Sequence, residues 1–267
     1  MKFIVNADDY GMDENVSHAI CRFINDNVAT QTTLMVNMPY CHDAVKMAKE
    51  QGFADKIGLH LNILEGVPLT EKIKRSHILC DGNGCFKDVI RHNKYLRFFL
   101  PRFEQAVIKE EFSAQMEKFL ALGLPLRHVD SHGHLATSLS ILPIFLDCAK
   151  RFGFKTTRLY PCLSSNEKGG AVSMMRKIYC KRVRSLIVKS GLKTTDTLGY
   201  PWDLMKIDPN FEGIVETFCH PQYRLWDGTK DMSGELKDWM TPAEVTYGFV
   251  RERSHAWKMC SFGDIAS

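Results

Sequence analysis

The sequence predicts an α/β fold with a parallel sheet, and two observations support that prediction. Short apolar runs rich in Val, Ile and Leu alternate along the chain with longer segments whose apolar residues recur every three or four positions. This alternation of strands and helices favours parallel strands joined by helical crossovers, in an open or a closed sheet. Polar residues also collect just after several of the apolar runs, where both kinds of sheet place their binding sites.

The first strand is predicted near the N-terminus, in Phe3-Ile4-Val5-Asn6-Ala7, and it runs directly into the adjacent carboxylates of Asp8 and Asp9. Two carboxylates at the end of a buried strand repel each other and lose hydration, so such a pair indicates a nearby cation or a shared proton. An ordinary turn is the alternative, because Asp and the following Gly11 are common turn formers.

The remaining elements alternate as this fold class requires. Helices are predicted at 13–24, 44–49, 103–122, 144–152 and 174–189, and one more begins at the capping box Thr241-Pro242-Ala243-Glu244. Strands are predicted at 32–36, 57–62, 128–132, 156–160, 214–219 and 257–262. Residues 63–103 break this rhythm with Pro68 and the turn Asp81-Gly82-Asn83-Gly84, so they are interpreted as a loop insertion over the strand ends.

Length and composition indicate one globular domain spanning residues 1–267, with 45% apolar and 25% charged residues. A net charge of +4 is too small to indicate nucleic-acid binding, and no apolar run is long enough for a transmembrane segment. The chain enters a strand without a signal segment, and its nine cysteines are scattered and odd in number, so we expect free thiols and a cytoplasmic location. A homodimer is the expected oligomeric state.

Side chains that bind metals follow several of the predicted strands. They are Asp8 and Asp9 after the first strand, His60 and Asn62 at the strand 57–62, Asp130, His132 and His134 at the strand 128–132, and His220 after the strand 214–219. If the segment from His128 to His134 stays extended, the strand period of two puts its three histidines and Asp130 on one face. A lone histidine on a strand is ordinarily a core residue. Two imidazoles with a carboxylate, however, leave open positions on a divalent metal, which is the catalytic arrangement.

Four stretches resemble, in order, the motifs of the YdjC/ChbG family of carbohydrate deacetylases. They are Asn6-Ala7-Asp8-Asp9-Tyr10-Gly11, Gly58-Leu59-His60-Leu61-Asn62, Asp130-Ser131-His132-Gly133-His134 and His220-Pro221. The resemblance spans about residues 1–220. It implies a distorted (β/α) TIM-like barrel, one divalent metal ion such as Mg²⁺ or Zn²⁺, and hydrolysis of the acetyl group from an N-acetylated sugar or oligosaccharide.

Carried over by motif, the resemblance implies a role for each site residue. Asp9, His60 and His132 would bind the metal, Asp8 would take a proton from the attacking water, and His220 would give one to the departing amine. The residues expected to orient these groups or to contact substrate are Asp130, His134, Asn62 and Arg158.

Four positions differ from the usual residues of that family: Tyr10, Gly133, Ala136 and Gln222. Ala136 stands where a further histidine is common, which leaves the identity of the sugar open. The alternatives are a metal-dependent sugar isomerase or phosphoesterase, and a saccharide-binding relative without turnover, because one fold hosts many functions. A second bound metal would favour the phosphoesterase, and saccharide binding without acetate release would favour the binding protein.

Overall fold

The computed structural model describes residues 2–159, 171–205, 207–208, 210–223, 236–238, 243–255 and 257–266. Tyr160, at the end of one predicted strand, lies outside the described residues. So do Thr241 and Pro242, with which the predicted capping box begins.

A parallel sheet forms the centre of the molecule. The described strands are β1 (Lys2–Tyr10), β2 (Gln31–Leu34), β3 (Ile57–Leu61), β4 (His128–Ser131), β5 (Thr156–Thr157), β6 (Thr197–Leu198), β7 (Ile214–Cys219), β8 (Pro221–Tyr223), β9 (Leu236–Asp238) and β10 (Lys258–Met259). In the described residues the sheet order is β5-β4-β3-β2-β1-β7-β6, and β10 pairs with the start of β1. β8 and β9 form a separate antiparallel pair.

The sheet curls into a distorted barrel, because a short parallel bridge links β5 to the segment that precedes β6. The amide of Thr157 donates to the carbonyl of Lys193 at 3.0 Å, and the amide of Lys193 donates to the carbonyl of Lys155 at 2.9 Å. The strands next to this bridge, β5 and β6, have two residues each, so the barrel is least regular there. The predicted α/β TIM-like barrel is thereby confirmed.

Helices surround the sheet. They are α1 (Glu14–Asn25), α2 (Cys41–Glu50), α3 (Lys94–Phe98), α4 (Arg102–Ala121), α5 (Leu142–Arg151), α6 (Ala171–Lys189), α7 (Pro201–Leu204), α8 (Ala243–Arg253) and α9 (Phe262–Ala266). Short 3₁₀ helices occur at Ala54–Lys56, Ile73–Arg75 and His132–Thr137. Asp13 caps α1 by accepting the amide of Val16 at 2.8 Å. In the described part of the chain, every helix is too short or too polar to cross a bilayer.

β1 is buried from Phe3 to Tyr10, and its two faces differ in character. Phe3, Val5 and Ala7 belong to the main hydrophobic core, whereas Ile4 packs in a small cluster with Phe262 and Cys260. On the same face as Ile4, the side-chain Nδ2 of Asn6 donates to Oδ1 of Asp8 at 2.6 Å. The strand period of two therefore gives this face an apolar lower end and a polar upper end, where the strands reach their carboxyl termini.

The predicted insertion lies between β3 and α4 and is packed against α4. The carboxylate of Glu111, fully buried in α4, accepts the amides of Leu69 at 3.0 Å and Thr70 at 2.9 Å. The side chain of Gln115 on the same helix donates to the carbonyl of Asn62 at 2.7 Å. These bonds satisfy backbone groups that an unsupported loop would leave buried and unpaired.

One predicted strand boundary is wrong in a way that affects the site. β4 ends at Ser131, and His132 begins a 3₁₀ turn in which Gly133 and His134 have φ values of 60° and 55°. The extended segment with three histidines on one face therefore does not form, because two left-handed residues reverse the chain after His132. A Cβ on Gly133 would also lie 2.8 Å from Cδ1 of Leu64.

Two other predicted strands are shorter than expected. The strand predicted at 156–160 is described as Thr156–Thr157, and the one predicted at 257–262 is Lys258–Met259. Phe262 instead begins α9, and the ring of His128 stacks on it at 3.7 Å. His128 is thus a core residue at the lower end of the barrel.

Candidate metal centre

Three of the predicted ligands meet at the carboxyl ends of β1, β3 and β4. Oδ1 of Asp9 lies 3.2 Å from Nε2 of His60 and 2.7 Å from Nδ1 of His132. All three residues are buried, and their ligand atoms lie within 4.8 Å of one another. One carboxylate and two imidazoles are a donor set for a divalent transition metal, so the residues present fit such an ion.

Asp9 reaches this position through a local distortion of β1. Its φ is 73°, and the pairing register between β1 and β2 shifts between Ala7 and Tyr10. On a regular strand, Asp8 and Asp9 would point to opposite faces. The left-handed conformation instead lets both carboxylates serve the site, at a cost of about 1 to 3 kcal/mol.

The local potential around the two imidazoles is strongly negative. Burial lowers the pKa of His60, but Asp130 and Asp9 more than offset it and raise this pKa to about 10. Burial likewise lowers the pKa of His132, but Asp9 and Glu65 more than offset burial and raise this pKa to about 9. The pKa of Asp9 is held well below 3.8 despite burial, chiefly by His132. Such a potential favours a cation between the rings, and metal binding would displace protons from them.

The outer nitrogen of each ring also contacts a carboxylate. Nδ1 of His60 lies 2.6 Å from Oδ1 of Asp130, and Nε2 of His132 lies 2.7 Å from Oε1 of Glu65. A carboxylate behind a metal-binding histidine fixes which ring nitrogen carries the proton. The sequence indicated Asp130 but missed Glu65, because an acidic residue at the start of a loop has no distinguishing pattern.

Asp8 lies beside this group and is bound by Arg158. The guanidinium donates to Oδ2 of Asp8 at 2.6 Å and to Oδ1 at 2.7 Å, and it also lies 3.1 Å from Oδ2 of Asp130. Burial raises the pKa of Asp8, but Arg158 more than offsets burial and the net pKa is lowered. Nε2 of His220 lies 3.8 Å from Oδ2 of Asp8.

Glu216 is a second acidic residue that sequence reasoning missed. It is fully buried on β7, and its Oε1 accepts a hydrogen bond from Nε of Arg158 at 2.7 Å. Burial raises its pKa to about 7, although Arg158 opposes the rise. A charged residue inside the predicted strand Ile214–Cys219 was the signal that could have revealed it.

His134 lies at the same end of the barrel, next to β7. Its ring meets the ring of Phe218 edge to face with centroids 4.9 Å apart. Burial and then the charge of Arg158 lower its pKa to about 3, so it is neutral at physiological pH. This environment makes His134 a neutral polar neighbour of Asp8.

Asn62 supports a turn next to the metal centre. Its Oδ1 accepts the amides of Leu64 at 2.9 Å and Glu65 at 3.3 Å, and its Nδ2 donates to the carbonyl of Glu65 at 2.8 Å. These bonds place it beneath the turn from Asn62 to Glu65. Its position therefore indicates a role in holding that turn.

A cavity of about 250 Å³ opens over the candidate ligands. Its lining includes Asp9, His132 and His220 from the barrel, Glu65 and Arg91 from the insertion, and Gln222 from β8. Two of the three candidate ligands, the predicted proton donor and the insertion thus face one space. That space is where a substrate would contact all of them.

The fold and the site define a parallel α/β barrel protein with a candidate metal centre at the carboxyl ends of its strands. The family described as YdjC-like protein matches residues 2–254. The chain therefore belongs to the YdjC-like family.

Similar proteins carry a functional name. A protein of Vibrio cholerae serotype O1 named "carbohydrate deacetylase" is 40% identical over 153 residues, which cover 57% of this chain and 56% of that protein. A protein of the same name from Vibrio parahaemolyticus serotype O3:K6 is 38% identical over 224 residues, 84% of this chain and 79% of that protein. The match thus spans little more than half the length of the Vibrio cholerae relative.

A solved structure has the same fold. It is the crystal structure of a protein from Enterococcus faecalis V583 described as a candidate cellobiose-phosphate cleavage protein. The two structures superpose with a TM-score of 0.68 at 20% identity, covering 100% of this chain and 99% of the other. At this identity the likeness concerns the fold alone.

Proposed function

We propose that this protein is a metal-dependent carbohydrate N-deacetylase, which hydrolyses the acetyl group from an N-acetylated sugar or oligosaccharide. The observation that carries the proposal is the meeting of Asp9, His60 and His132 beside Asp8, next to a cavity that Asp9, His132 and His220 line. The names of the Vibrio relatives support the choice of substrate class.

Asp9, His60 and His132 would hold one divalent ion. Such an ion supplies a Lewis acid toward the acetyl carbonyl and lowers the pKa of water. Two imidazoles favour zinc over magnesium, because magnesium prefers oxygen ligands. Zinc is therefore the first ion to test and magnesium the second.

Asp8 would act as the general base. Arg158 keeps its carboxylate ionised and fixes both oxygens, so Asp8 is oriented and able to accept a proton at neutral pH. His220, 3.8 Å away across the same space, would donate a proton to the departing amine. The proposed base lies on β1, and the proposed acid directly follows the neighbouring strand β7.

A two-metal phosphoesterase is the alternative that one observation favours. Asp8, His60 and Asp130 form a second group whose ligand atoms lie within 4.8 Å of one another. Arg158, however, donates to Asp8 and lies 3.1 Å from Asp130, so a guanidinium already supplies positive charge at that position. We therefore propose one ion per chain. A second tightly bound equivalent would support the phosphoesterase instead.

Acetate release from N-acetylglucosamine and its β-1,4 oligomers, with zinc supplied, tests the proposed function. The wild-type protein should release acetate, and Asp8→Asn should lower the rate by about 10² to 10⁴-fold, as expected for the loss of a general base. Zinc binding should persist in Asp8→Asn, because Asp8 is outside the proposed ligand set. Near-full acetate release by this variant would contradict the assignment.

A further inference from the structure

The two candidate histidine ligands present opposite nitrogens to Asp9. His60 faces Asp9 with Nε2 and contacts Asp130 with Nδ1, whereas His132 faces Asp9 with Nδ1 and contacts Glu65 with Nε2. We propose that Glu65 is a positioning residue, which holds His132 with Nδ1 toward the metal centre as Asp130 holds His60. This inference rests on the proposed metal centre.

The location of Glu65 relative to the ring makes it an outer partner. Oε1 of Glu65 lies 2.7 Å from Nε2 of His132, and Oδ1 of Asp9 lies 2.7 Å from Nδ1 of the same ring. The two nitrogens of an imidazole diverge, so these carboxylates contact different edges of the ring. Glu65 therefore acts on the ion through His132.

The backbone of Glu65 is fixed although its side chain is 44% exposed. Its carbonyl accepts hydrogen bonds from Nδ2 of Asn62 at 2.8 Å and Nδ2 of Asn37 at 3.2 Å, and its amide donates to Oδ1 of Asn62. The buried Asn62 thereby sets the position from which Glu65 reaches His132. This gives the predicted site residue Asn62 an indirect role.

A second contact joins the insertion to the loop that carries His132. A Cβ built on Gly133 would lie 2.8 Å from Cδ1 of Leu64 and 3.4 Å from Cδ of Arg91. Leu64 and Gly133 are the chain neighbours of Glu65 and His132, so the two segments meet at adjacent points. The insertion is thus packed where it can determine the orientation of the His132 ring.

Calorimetric titration of zinc into chelator-stripped protein tests the inference on Glu65→Ala and Glu65→Gln. Glu71→Ala is the matched control, because Glu71 lies on the same insertion, is 84% exposed and pairs with Lys74. All proteins should bind one equivalent. Glu65→Ala should weaken zinc affinity about 10 to 100-fold, and Glu71→Ala should match wild type. Glu65→Gln should weaken zinc affinity less than Glu65→Ala, because the glutamine amide oxygen can still accept a hydrogen bond from Nε2 of His132.

Nitrogen NMR of the zinc-loaded protein reports which ring nitrogen of each histidine carries the proton. A merely structural role of Glu65 would leave this unchanged. In wild type, His132 should carry its proton on Nε2 and His60 should carry its proton on Nδ1. In Glu65→Ala, a fraction of the His132 rings should turn to face the ion with Nε2 and carry the proton on Nδ1, while His60 keeps its proton on Nδ1.

Wild-type zinc affinity and an unchanged His132 spectrum in Glu65→Ala would overturn the inference while leaving the metal centre intact. Loss of the bound equivalent in both Glu65 variants would also overturn it, because Glu65 would then be a ligand itself. Absence of zinc binding by the wild type would overturn the proposed function together with the inference.

Discussion

The guanidinium group of Arg158 contacts three buried acidic residues of the site. It donates hydrogen bonds to both oxygens of Asp8 and to Oε1 of Glu216, and its Nη2 lies 3.1 Å from Oδ2 of Asp130. A buried cation shared among carboxylates is costly unless its donors are satisfied, and these bonds satisfy them. The same bonds keep Asp8 ionised and weaken it as a base. The geometry therefore favours orientation of Asp8 over high basicity.

Glu216→Gln tests the raised pKa of Glu216. This pKa is about 7 in the folded protein, against an ordinary value of 4.5, so the folded protein retains a proton that the unfolded chain releases over this range. The stabilisation from this proton is complete below pH 4.5 and is lost as the pH rises through 7. Glutamine does not titrate, and its amide oxygen can still accept from Arg158.

The free energy of unfolding of Glu216→Gln, relative to wild type, should therefore increase between pH 5 and pH 8 by on the order of 2 kcal/mol. Urea unfolding of the chelator-stripped proteins at both pH values measures this difference. A difference that does not change with pH would show that Glu216 titrates at its ordinary pKa.

Individual site residues were predictable to different degrees. Asp8, Asp9, His60 and His132 were visible because their types suit metal chemistry and they follow apolar runs. Glu65 was not, because its contact with His132 depends on how the insertion at residues 63–103 folds back over the strand ends. Long-range pairing of this kind leaves no periodic pattern in the chain.

At the scale of elements, α4 is the support of the insertion. Glu111 is buried and accepts two backbone amides of the insertion, whereas the preceding Glu110 is half exposed and lies 3.5 Å from Nζ of Lys72. The sequence predicted α4 from its helix-forming composition. It did not show which of the two adjacent glutamates faces the insertion, because the turn at Leu69 and Thr70 lies far away in sequence.

Glu111→Ala should lower the free energy of unfolding by about 2 to 3 kcal/mol, because it leaves two amides and one hydroxyl without their charged acceptor. Urea unfolding measures the loss, and faster proteolysis within residues 63–101 would localise it. Glu110→Ala is the matched control and should cost less than about 1 kcal/mol, as expected of an exposed ion pair. Equal losses in both variants would contradict this account of how the insertion is held.

The turn after β4 is the element that sequence periodicity described incorrectly. Alternation through His132 and His134 predicted an extended face, but Gly133 and His134 adopt positive φ. Glycine tolerates this conformation, whereas for histidine it is uncommon, so the pattern of residue types did not predict it. The turn sends His132 to Asp9 and His134 to Phe218.

At the scale of the whole molecule, the alternation of strands and helices was sufficient to predict a parallel α/β sheet. Closure of the sheet was implied by the family resemblance and depends on β5 and β6, which have two residues each and are too short for a periodic pattern. β6 was not predicted for that reason. The bridge at Lys193 was likewise not predictable from the sequence, because it depends on packing.

The barrel explains why residues far apart in sequence form one site. Parallel strands end at the same rim, so Asp8, Asp9, His60, His132 and His220 come together from β1, β3, β4 and β7. Arg158 follows β5 and reaches the same rim. The site is therefore a property of the curled sheet, and its chemistry depends on which side chains occupy that rim.

The most direct test of the proposed metal centre is calorimetric titration of zinc, and then magnesium, into chelator-stripped wild type, His60→Ala and His132→Ala. His92→Ala, whose side chain is 73% exposed, is the control. The account predicts one equivalent in wild type and His92→Ala, and loss of tight binding in the other two variants. No binding by wild type, or binding indifferent to both substitutions, would contradict a metal centre at Asp9, His60 and His132.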